Sequence, residues 1–164
     1  MSSFIYMEKL IYQLKLKNLT IATAESCTGG LFGYELSTIP GASKYYKGTV
    51  TAYSNSVKKN ILKVSDIIFK NNLVISKECA VEMILGLLSI INANIYVSIT
   101  GNAGPCCEDN ALRGITYYAI MFNEYLETGT VKCINMDRTA VQKIIVKTIA
   151  KKITEIIGKS EMSC

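Results

Sequence analysis

The alternation of apolar and polar positions along this chain is typical of a protein that combines helices with a sheet. Apolar residues at near-helical spacing predict a first helix over residues 4–18, and a short apolar run predicts a buried strand at residues 19–24. Further helices are predicted at residues 28–38, 54–62, 76–91 and 138–157, with Ser54-Asn55 and Ser76 as N-caps of the second and third of these. Strands are predicted at residues 48–53, 95–99, 114–122 and 130–134, the last two forming a hairpin with a loop at 123–129. Residues 65–75 fit no single pattern.

This order of elements predicts an α/β fold with a mixed sheet between helices. The chain has 164 residues, of which 49% are hydrophobic, and that is a suitable size for one compact core. We therefore expect a single domain over residues 1–164.

Polar segments follow the predicted strands at three places, residues 23–30, 53–58 and 100–105, and the first and third contain glycines. In an open α/β sheet, ligands bind outside the carboxyl ends of the strands, so these three segments can meet in one crevice. The first segment reads T-A-E-S-C-T-G-G and combines a hydroxyl, a thiol and a carboxylate with two glycines. Such a junction can hold a nucleophile and an anion together.

The absence of histidine limits the chemistry of this junction. If Ser26 or Cys27 is a nucleophile, its proton cannot pass to an imidazole. Mechanisms of the Ser-His-Asp and Cys-His types are therefore excluded, and the base must be a lysine, a carboxylate or a tyrosine.

Charge and cysteine content exclude several other classes of protein. The net charge of +5 is mild, and the lysines of the last helix predict a solvated face or, alternatively, a weak anionic partner, without the dense basic patch of a nucleic-acid-binding protein. The six cysteines form no C-x-x-C pair, so we expect no metal site. Charged residues interrupt the first apolar segment, and no apolar run approaches membrane-spanning length. We expect a cytoplasmic protein with free thiols, no signal peptide and no membrane partner.

Five segments together resemble the CinA C-terminal domain family, the nicotinamide-nucleotide amidases. They are T-A-E-S-C-T-G-G at 23–30, P-G-A-S at 40–43, Y-S-N-x-x-K at 53–58, S-x-E-x-A-x-E-M at 76–83 and T-G-x-A-G-P at 100–105. The resemblance implies a three-layer α/β/α sandwich and hydrolysis of nicotinamide mononucleotide to nicotinate mononucleotide and ammonia. It also implies a cofactor-free enzyme whose partner is a small mononucleotide, and we expect a homo-oligomer.

The resemblance places the nucleophile at Ser26, a lysine at Lys58 and a tyrosine at Tyr53. The residues themselves favour the same lysine, because Lys58 lies at the second junction of a chain without histidine. To accept a proton near neutral pH, Lys58 needs a lowered pKa. Tyr53 is predicted to relay the proton or to hold the lysine. Predicted substrate contacts are Glu25, Thr28, Gly29, Gly30, Asn55, Thr100, Gly101, Ala103, Gly104 and Arg138, the last as a phosphate ligand.

Structural interpretations compete with these roles. Ser26 can cap a helix, Cys27 can be a packed residue or a rival nucleophile, and Glu25 can orient Lys58 or accept structural hydrogen bonds. Lys58 and its neighbour Lys59 can form a solvated pair. Tyr53 can be an ordinary packing residue of the core or of the surface.

The chain departs from the family pattern in three places. Residues 106–109 read C-C-E-D where further glycines are usual, a short loop leads into Arg113, and Gln142 stands where an arginine is expected four residues after Arg138. Arg138 itself can instead pair at the surface with Asp137 or Glu108. These changes favour an alternative function, a nucleotide-binding module without turnover. A third function, in DNA uptake or damage response, has no support in the charge pattern.

Overall fold

A computed structural model describes residues 3–104 and 113–159, and its elements follow the predicted order. Helices and strands alternate through the first part of the chain, and an antiparallel pair of strands precedes the last helix. The elements are α1 (Ser3–Leu16), β1 (Ile21–Glu25), α2 (Leu31–Ser37), a 3₁₀ turn (Ala42–Lys44), β2 (Tyr46–Thr51), α3 (Asn55–Asn60), α4 (Asp66–Lys70), α5 (Lys77–Leu88), β3 (Ile95–Gly101), β4 (Ile115–Phe122), β5 (Tyr125–Lys132) and α6 (Arg138–Lys159).

The strands form one five-stranded mixed sheet in the order β2-β1-β3-β4-β5. Strand β1 is parallel to both of its neighbours, β2 and β3. Strands β4 and β5 continue the sheet in antiparallel pairing. The predicted mixed sheet is confirmed.

Helices cover both faces of this sheet, so the predicted three-layer sandwich is also confirmed. Helices α1, α2 and α6 bury their apolar residues against one face, and α3, α4 and α5 bury theirs against the other. Alternate residues of β1 point to opposite layers, as the two-residue period of a strand requires: Ile21 joins the first cluster, whereas Ala22 and Ala24 join the second.

The connections after β1 and β2 leave the sheet on opposite faces. Helix α2, which follows β1, packs in the first layer, and α3, which follows β2, packs in the second. A crevice opens at the carboxyl ends of neighbouring parallel strands where their connections diverge in this way. This position is where the first two polar segments of the sequence lie.

The hairpin between β4 and β5 differs from the prediction. The predicted loop at 123–129 is instead mostly strand, since Phe122 pairs with Tyr125 and the turn consists of Asn123 and Glu124. Asn123 has φ 54, as primed two-residue turns require. Gly129 suggested a turn, but it pairs with Tyr118, whose ring occupies the space that a β-carbon at residue 129 would fill.

Two other boundaries were predicted wrongly. Strand β2 covers Tyr46–Thr51 rather than residues 48–53, with a register shift opposite the start of β1. Helix α2 begins at Leu31 rather than at residue 28, because Gly29 and Gly30 adopt positive φ and hold the chain in a turn. The predicted caps of α3 and α5 are confirmed: Ser54 and Ser76 accept hydrogen bonds from Val57 N–H and Cys79 N–H.

Lysines of α6 are in part paired rather than simply solvated. Lys152 forms a 2.5 Å ion pair with Glu127, and the Lys147 ammonium lies 5.2 Å from the centroid of the Tyr6 ring. No helix in residues 3–104 or 113–159 has the length and apolar character needed to cross a lipid bilayer. Within the same ranges no group of cysteine and acidic residues is arranged to hold a metal ion.

Candidate active site

The turn that follows β1 presents Ser26 at the carboxyl edge of the sheet. The Ser26 N–H donates to the Ile99 carbonyl across the β1–β3 pair at 2.9 Å, and the Gly29 N–H donates to the Ser26 carbonyl at 2.9 Å. Gly29 and Gly30 have φ +64 and +96, a region that suits glycine. Ser26 is therefore fixed by the strand on one side and by the glycine turn on the other.

Glu25, the last residue of β1, has its carboxylate directed at the start of α2. Its two oxygens accept hydrogen bonds from the Phe32 and Gly33 N–H groups at 3.1 and 2.8 Å, and from the hydroxyls of Thr28 and Thr23 at 2.7 and 3.1 Å. Gly30 at the N-cap has no side chain with which to satisfy these N–H groups, so Glu25 supplies the cap from the strand.

This arrangement settles the two interpretations of Glu25 in favour of the structural one. The side chain is wholly buried, and no hydrogen bond or ion pair joins it to Lys58 among the described residues. Both oxygens of Glu25 are already engaged in this structure, and its contact with substrate stays a prediction. The same holds for the Thr28 hydroxyl, which is buried against Glu25.

Lys58 reaches Ser26 from helix α3. The Ser54 side chain caps this short helix, and the Lys58 N–H donates to the Ser54 carbonyl at 3.2 Å. The side chain runs inward, so Lys58 is only 3% exposed although it lies in the sequence next to exposed Lys59. Its Nζ donates to the Ser26 Oγ at 2.9 Å. The alternative in which Lys58 and Lys59 form a solvated pair does not occur.

Burial lowers the pKa of Lys58 below its ordinary value of 10.5. Two neighbouring thiols, Cys79 and Cys27, act in the opposite direction and by less. Burial raises the pKa of each of these thiols to about 11, so both are protonated near neutral pH. In the part of the chain that the structure describes, Lys58 has no carboxylate partner to offset this effect of burial on its pKa.

Tyr53 and Arg138 meet at the mouth of the site. The guanidinium of Arg138 donates to the Tyr53 hydroxyl at 2.8 Å and to the Gly104 carbonyl at 2.8 Å. Tyr53 is 61% exposed, and within the described ranges no hydrogen bond joins it to Lys58 or Ser26. The predicted contact of Tyr53 with the lysine is therefore not observed. The surface pairing of Arg138 with Asp137 is not observed either, and Glu108 lies outside the described residues.

These groups surround a hollow of about 240 Å³ at the crevice. Its wall comes from all three polar junctions of the sequence and from the start of α6. The lining residues are Ser26, Cys27, Tyr53, Gly101, Asn102, Ala103 and Arg138. The expected meeting of the three junctions is confirmed.

Some predicted substrate contacts lie outside this wall. Thr100 is buried and donates its hydroxyl to the Val74 carbonyl at 2.6 Å, so it ties β3 to the segment before α5. Asn55 is exposed at the start of α3. Gly29 and Gly30 shape the turn below the wall, and Gly104 contributes its carbonyl to Arg138. Gly101 must be glycine because a β-carbon there would lie 2.6 Å from the Ile115 carbonyl oxygen.

Two residues of the site were not among the predicted contacts. Asn102 lines the hollow, and its side-chain oxygen accepts from the Gly104 N–H at 2.7 Å. Gln142, noted in the sequence only as a departure, donates its amide to the Cys27 carbonyl at 2.8 Å. The helical spacing of Arg138 and Gln142 was the available signal, since residues four apart share one face of a helix.

Comparisons with known proteins agree on one family. A model described as the CinA C-terminal domain matches residues 5–160. A protein of Mycoplasma pneumoniae named "Protein MG115 homolog" is 33% identical over 155 residues, which are 94% of this chain and 99% of that protein. A CinA-like protein of Thermotoga maritima is 45% identical over 100 residues, which are 60% of this chain but only 24% of that longer protein.

Solved structures show the same likeness in three dimensions. The crystal structure of a competence-damaged protein (CinA) superfamily protein from Klebsiella pneumoniae superposes with a TM-score of 0.91 at 26% identity, covering 97% of this chain and 99% of that one. A competence or damage-inducible protein from Enterobacter asburiae gives a TM-score of 0.89 at 25% identity, covering 96% and 99%. The chain thus spans nearly all of some relatives and about a quarter of others.

The capping role of Glu25 predicts a large loss of stability in Glu25→Gln. The glutamine NH₂ group would face the N–H and hydroxyl donors that Glu25 now accepts from, and buried N–H groups would be left unpaired. The free energy of unfolding should therefore fall by about 2 kcal/mol. Glu35→Gln is the matched control, because one Glu35 oxygen is buried without a partner and burial raises the pKa of that carboxyl. Because the pKa of Glu35 is raised in the folded protein, the protein loses stability as pH rises and Glu35 ionises. Replacement by uncharged glutamine should therefore leave the free energy of unfolding unchanged or raise it. Urea unfolding at pH 7 measures both, and equal losses would contradict the capping role.

Proposed function

The chain belongs to the CinA C-terminal domain family, and from this we propose that it is a nicotinamide-nucleotide amidase. It hydrolyses the carboxamide of nicotinamide mononucleotide to nicotinate mononucleotide and ammonia. The observation that carries this proposal is the 2.9 Å hydrogen bond between Lys58 Nζ and Ser26 Oγ. A serine paired with a buried lysine is an established way to activate a hydroxyl without histidine.

The reaction follows from that pair in two halves. Ser26 Oγ attacks the carboxamide carbon, and its proton passes to neutral Lys58. The C–N bond then breaks, Lys58 returns the proton to the leaving nitrogen, and ammonia departs from an acyl-enzyme. Water next attacks the same carbon and gives a proton to Lys58; the bond from carbon to Ser26 Oγ then breaks, Lys58 returns the proton to Oγ, and the carboxylic acid leaves. Lys58 therefore serves alternately as base and acid.

Backbone N–H groups are the candidates to stabilise the oxyanion of each tetrahedral intermediate. The N–H of Cys27 directly follows the nucleophile, and Cys27 lines the hollow. A donor at the residue after a nucleophilic serine is a recurrent arrangement in hydrolases. Its position is fixed before substrate arrives, as effective electrostatic stabilisation requires.

The phosphate of the substrate is assigned to the mouth of the hollow. Arg138 lines the hollow, and its guanidinium presents several N–H donors in one plane, which suits a phosphate. Hydrogen bonds from the guanidinium to the Gly104 carbonyl and the Tyr53 hydroxyl orient it toward the segment that follows β3. In this assignment Tyr53 acts through Arg138 rather than as a proton relay.

A second candidate function is a nucleotide-binding module without turnover. The C-C-E-D segment at residues 106–109, outside the described residues, and Gln142 in place of an arginine favour it. Such a protein would bind the mononucleotide but release no ammonia.

We further propose that the protein works as a homo-oligomer in the cytoplasm, with the mononucleotide as its partner and with no nucleic-acid or membrane partner.

Ser26→Ala should abolish ammonia release from nicotinamide mononucleotide while leaving the fold intact. The change removes the nucleophile but little buried volume, so the rate should fall by several orders of magnitude. Cys27→Ala is the control and should retain activity, because burial keeps the Cys27 thiol protonated. An inactive Cys27→Ala variant together with an active Ser26→Ala variant would show that Cys27 is the nucleophile. If the unaltered protein releases no ammonia, the nucleotide-binding module without turnover becomes the favoured function.

Lys58→Arg should be nearly as inactive as Lys58→Ala, because arginine keeps the charge but does not deprotonate in the working range. In the unaltered enzyme kcat/KM should rise with pH as Lys58 loses its proton, with a midpoint below the ordinary pKa of 10.5. The measurement is a pH–rate profile from pH 6 to 10. An active Lys58→Arg enzyme with a flat profile would leave the base unidentified.

Arg138→Ala should raise the KM for nicotinamide mononucleotide by about tenfold or more, as expected for a lost charge-assisted contact. Turnover of the phosphate-free riboside should change little. Steady-state kinetics on both substrates measure the difference. An equal effect on the two substrates, or no effect on either, would reject the phosphate assignment.

A further inference from the structure

Gln142 connects helix α6 to the turn that carries the nucleophile. Its side chain is half-buried, and its Nε2 donates to the Cys27 carbonyl at 2.8 Å. Gln142 follows Arg138 by one helical turn, so both side chains extend from the same face of α6 toward the site. Arg138 holds the segment that follows β3 through the Gly104 carbonyl, and Gln142 holds the turn that follows β1 through the Cys27 carbonyl.

Other described contacts also hold Ser26 and Cys27, among them a 3.7 Å hydrogen bond between Cys27 Sγ and Thr116 Oγ1. The Ser26 N–H is held by Ile99 and the Ser26 carbonyl by the Gly29 N–H. Beyond Ser26 the next carbonyl is that of Cys27, and its contact comes from Gln142. Because a peptide unit is planar, fixing this carbonyl fixes the Cys27–Thr28 peptide and limits rotation of the backbone on the C-terminal side of Cys27.

Helix α6 is a rigid base for this contact. Its residues Val141, Ile145 and Ile149 are fully or almost fully buried in the core cluster shared with α1 and the sheet. A side chain that extends from such a helix can hold a neighbouring turn in one position. The contact joins residues 115 positions apart in the sequence, so it depends on how α6 packs beside the turn.

We propose that Gln142 is a positioning residue for Ser26. By holding the Cys27–Thr28 peptide it anchors the C-terminal side of Cys27, so that the preceding Ser26–Cys27 peptide keeps the Ser26 hydroxyl against Lys58 and the Cys27 N–H where the oxyanion forms. The inference rests on the proposed role of Ser26 as the nucleophile. Small displacements of reacting groups reduce rates steeply, so loss of this one contact should lower the reactivity of Ser26 by about tenfold.

The test compares three variants. Gln142→Met keeps the length of the side chain and removes the donor, and Gln142→Lys restores a donor within reach of the carbonyl. Gln13→Met is the matched control on α1, where the Gln13 side-chain oxygen is buried without a partner. The first readout is the rate at which a fluorophosphonate labels Ser26, followed by intact-mass spectrometry. In this step Ser26 Oγ bonds to phosphorus, fluoride leaves, and the serine proton passes to Lys58.

Gln142→Met should be labelled about tenfold more slowly than the unaltered protein, with a similar melting temperature, while Gln142→Lys recovers most of the rate and Gln13→Met is unaffected. Ammonia release should show the same order, as a lower kcat with unchanged KM and an unchanged midpoint of the pH profile. Equal labelling of Gln142→Met and the unaltered protein would overturn the inference. If labelling follows this order but no variant releases ammonia, the positioning role stands and the amidase proposal fails.

Discussion

The site depends on one interaction, the hydrogen bond from Lys58 to Ser26 in a place where the lysine has lost its water. Lys58 is 3% exposed and lies 2.9 Å from the hydroxyl. A buried ammonium without a carboxylate partner is unfavourable, which is why the pKa of Lys58 is lowered. The same condition that makes the charged lysine costly makes the neutral lysine available as a base.

Glu25 is kept away from Lys58 by the hydrogen-bond partners of its own carboxylate. It directly precedes Ser26, and a free carboxylate there could pair with Lys58 and raise the pKa of the lysine. The N–H groups of Phe32 and Gly33 and two threonine hydroxyls occupy it instead. Capping α2 from the strand thus stabilises the fold and, within residues 3–104 and 113–159, leaves the lysine without a carboxylate partner.

Sequence patterns anticipated the parts of this structure that follow from local rules. The buried strand before Ser26, the caps at Ser54 and Ser76 and the start of α6 at Arg138 were predicted because period, capping residue and breaker agree there. The meeting of three junctions followed from the geometry of parallel strands. The β4–β5 hairpin was predicted, but its loop was extended to residue 129 because Gly129 resembles a turn residue, whereas it makes room for the Tyr118 ring on the neighbouring strand.

Contacts between distant residues could not be predicted in this way. The partners of Glu25, the pairing of Arg138 with Tyr53 and the amide of Gln142 on Cys27 depend on where whole elements pack. Tyr53 shows the limit clearly, because the family resemblance implied a role beside Lys58, yet its hydroxyl accepts a hydrogen bond from Arg138. A residue at the end of a strand and a residue inside the next helix can point to different sides of one loop.

The most direct test of this account is the titration of Lys58 itself. Lysine labelled with carbon-13 at Cε reports its own ionisation by NMR, and comparison with Lys58→Arg assigns the signal. The account predicts that Lys58 titrates clearly below the ordinary lysine value of 10.5, as its burial requires. A midpoint at or above that value would mean that the lysine is charged at working pH, and Lys58 could not act as the base for Ser26.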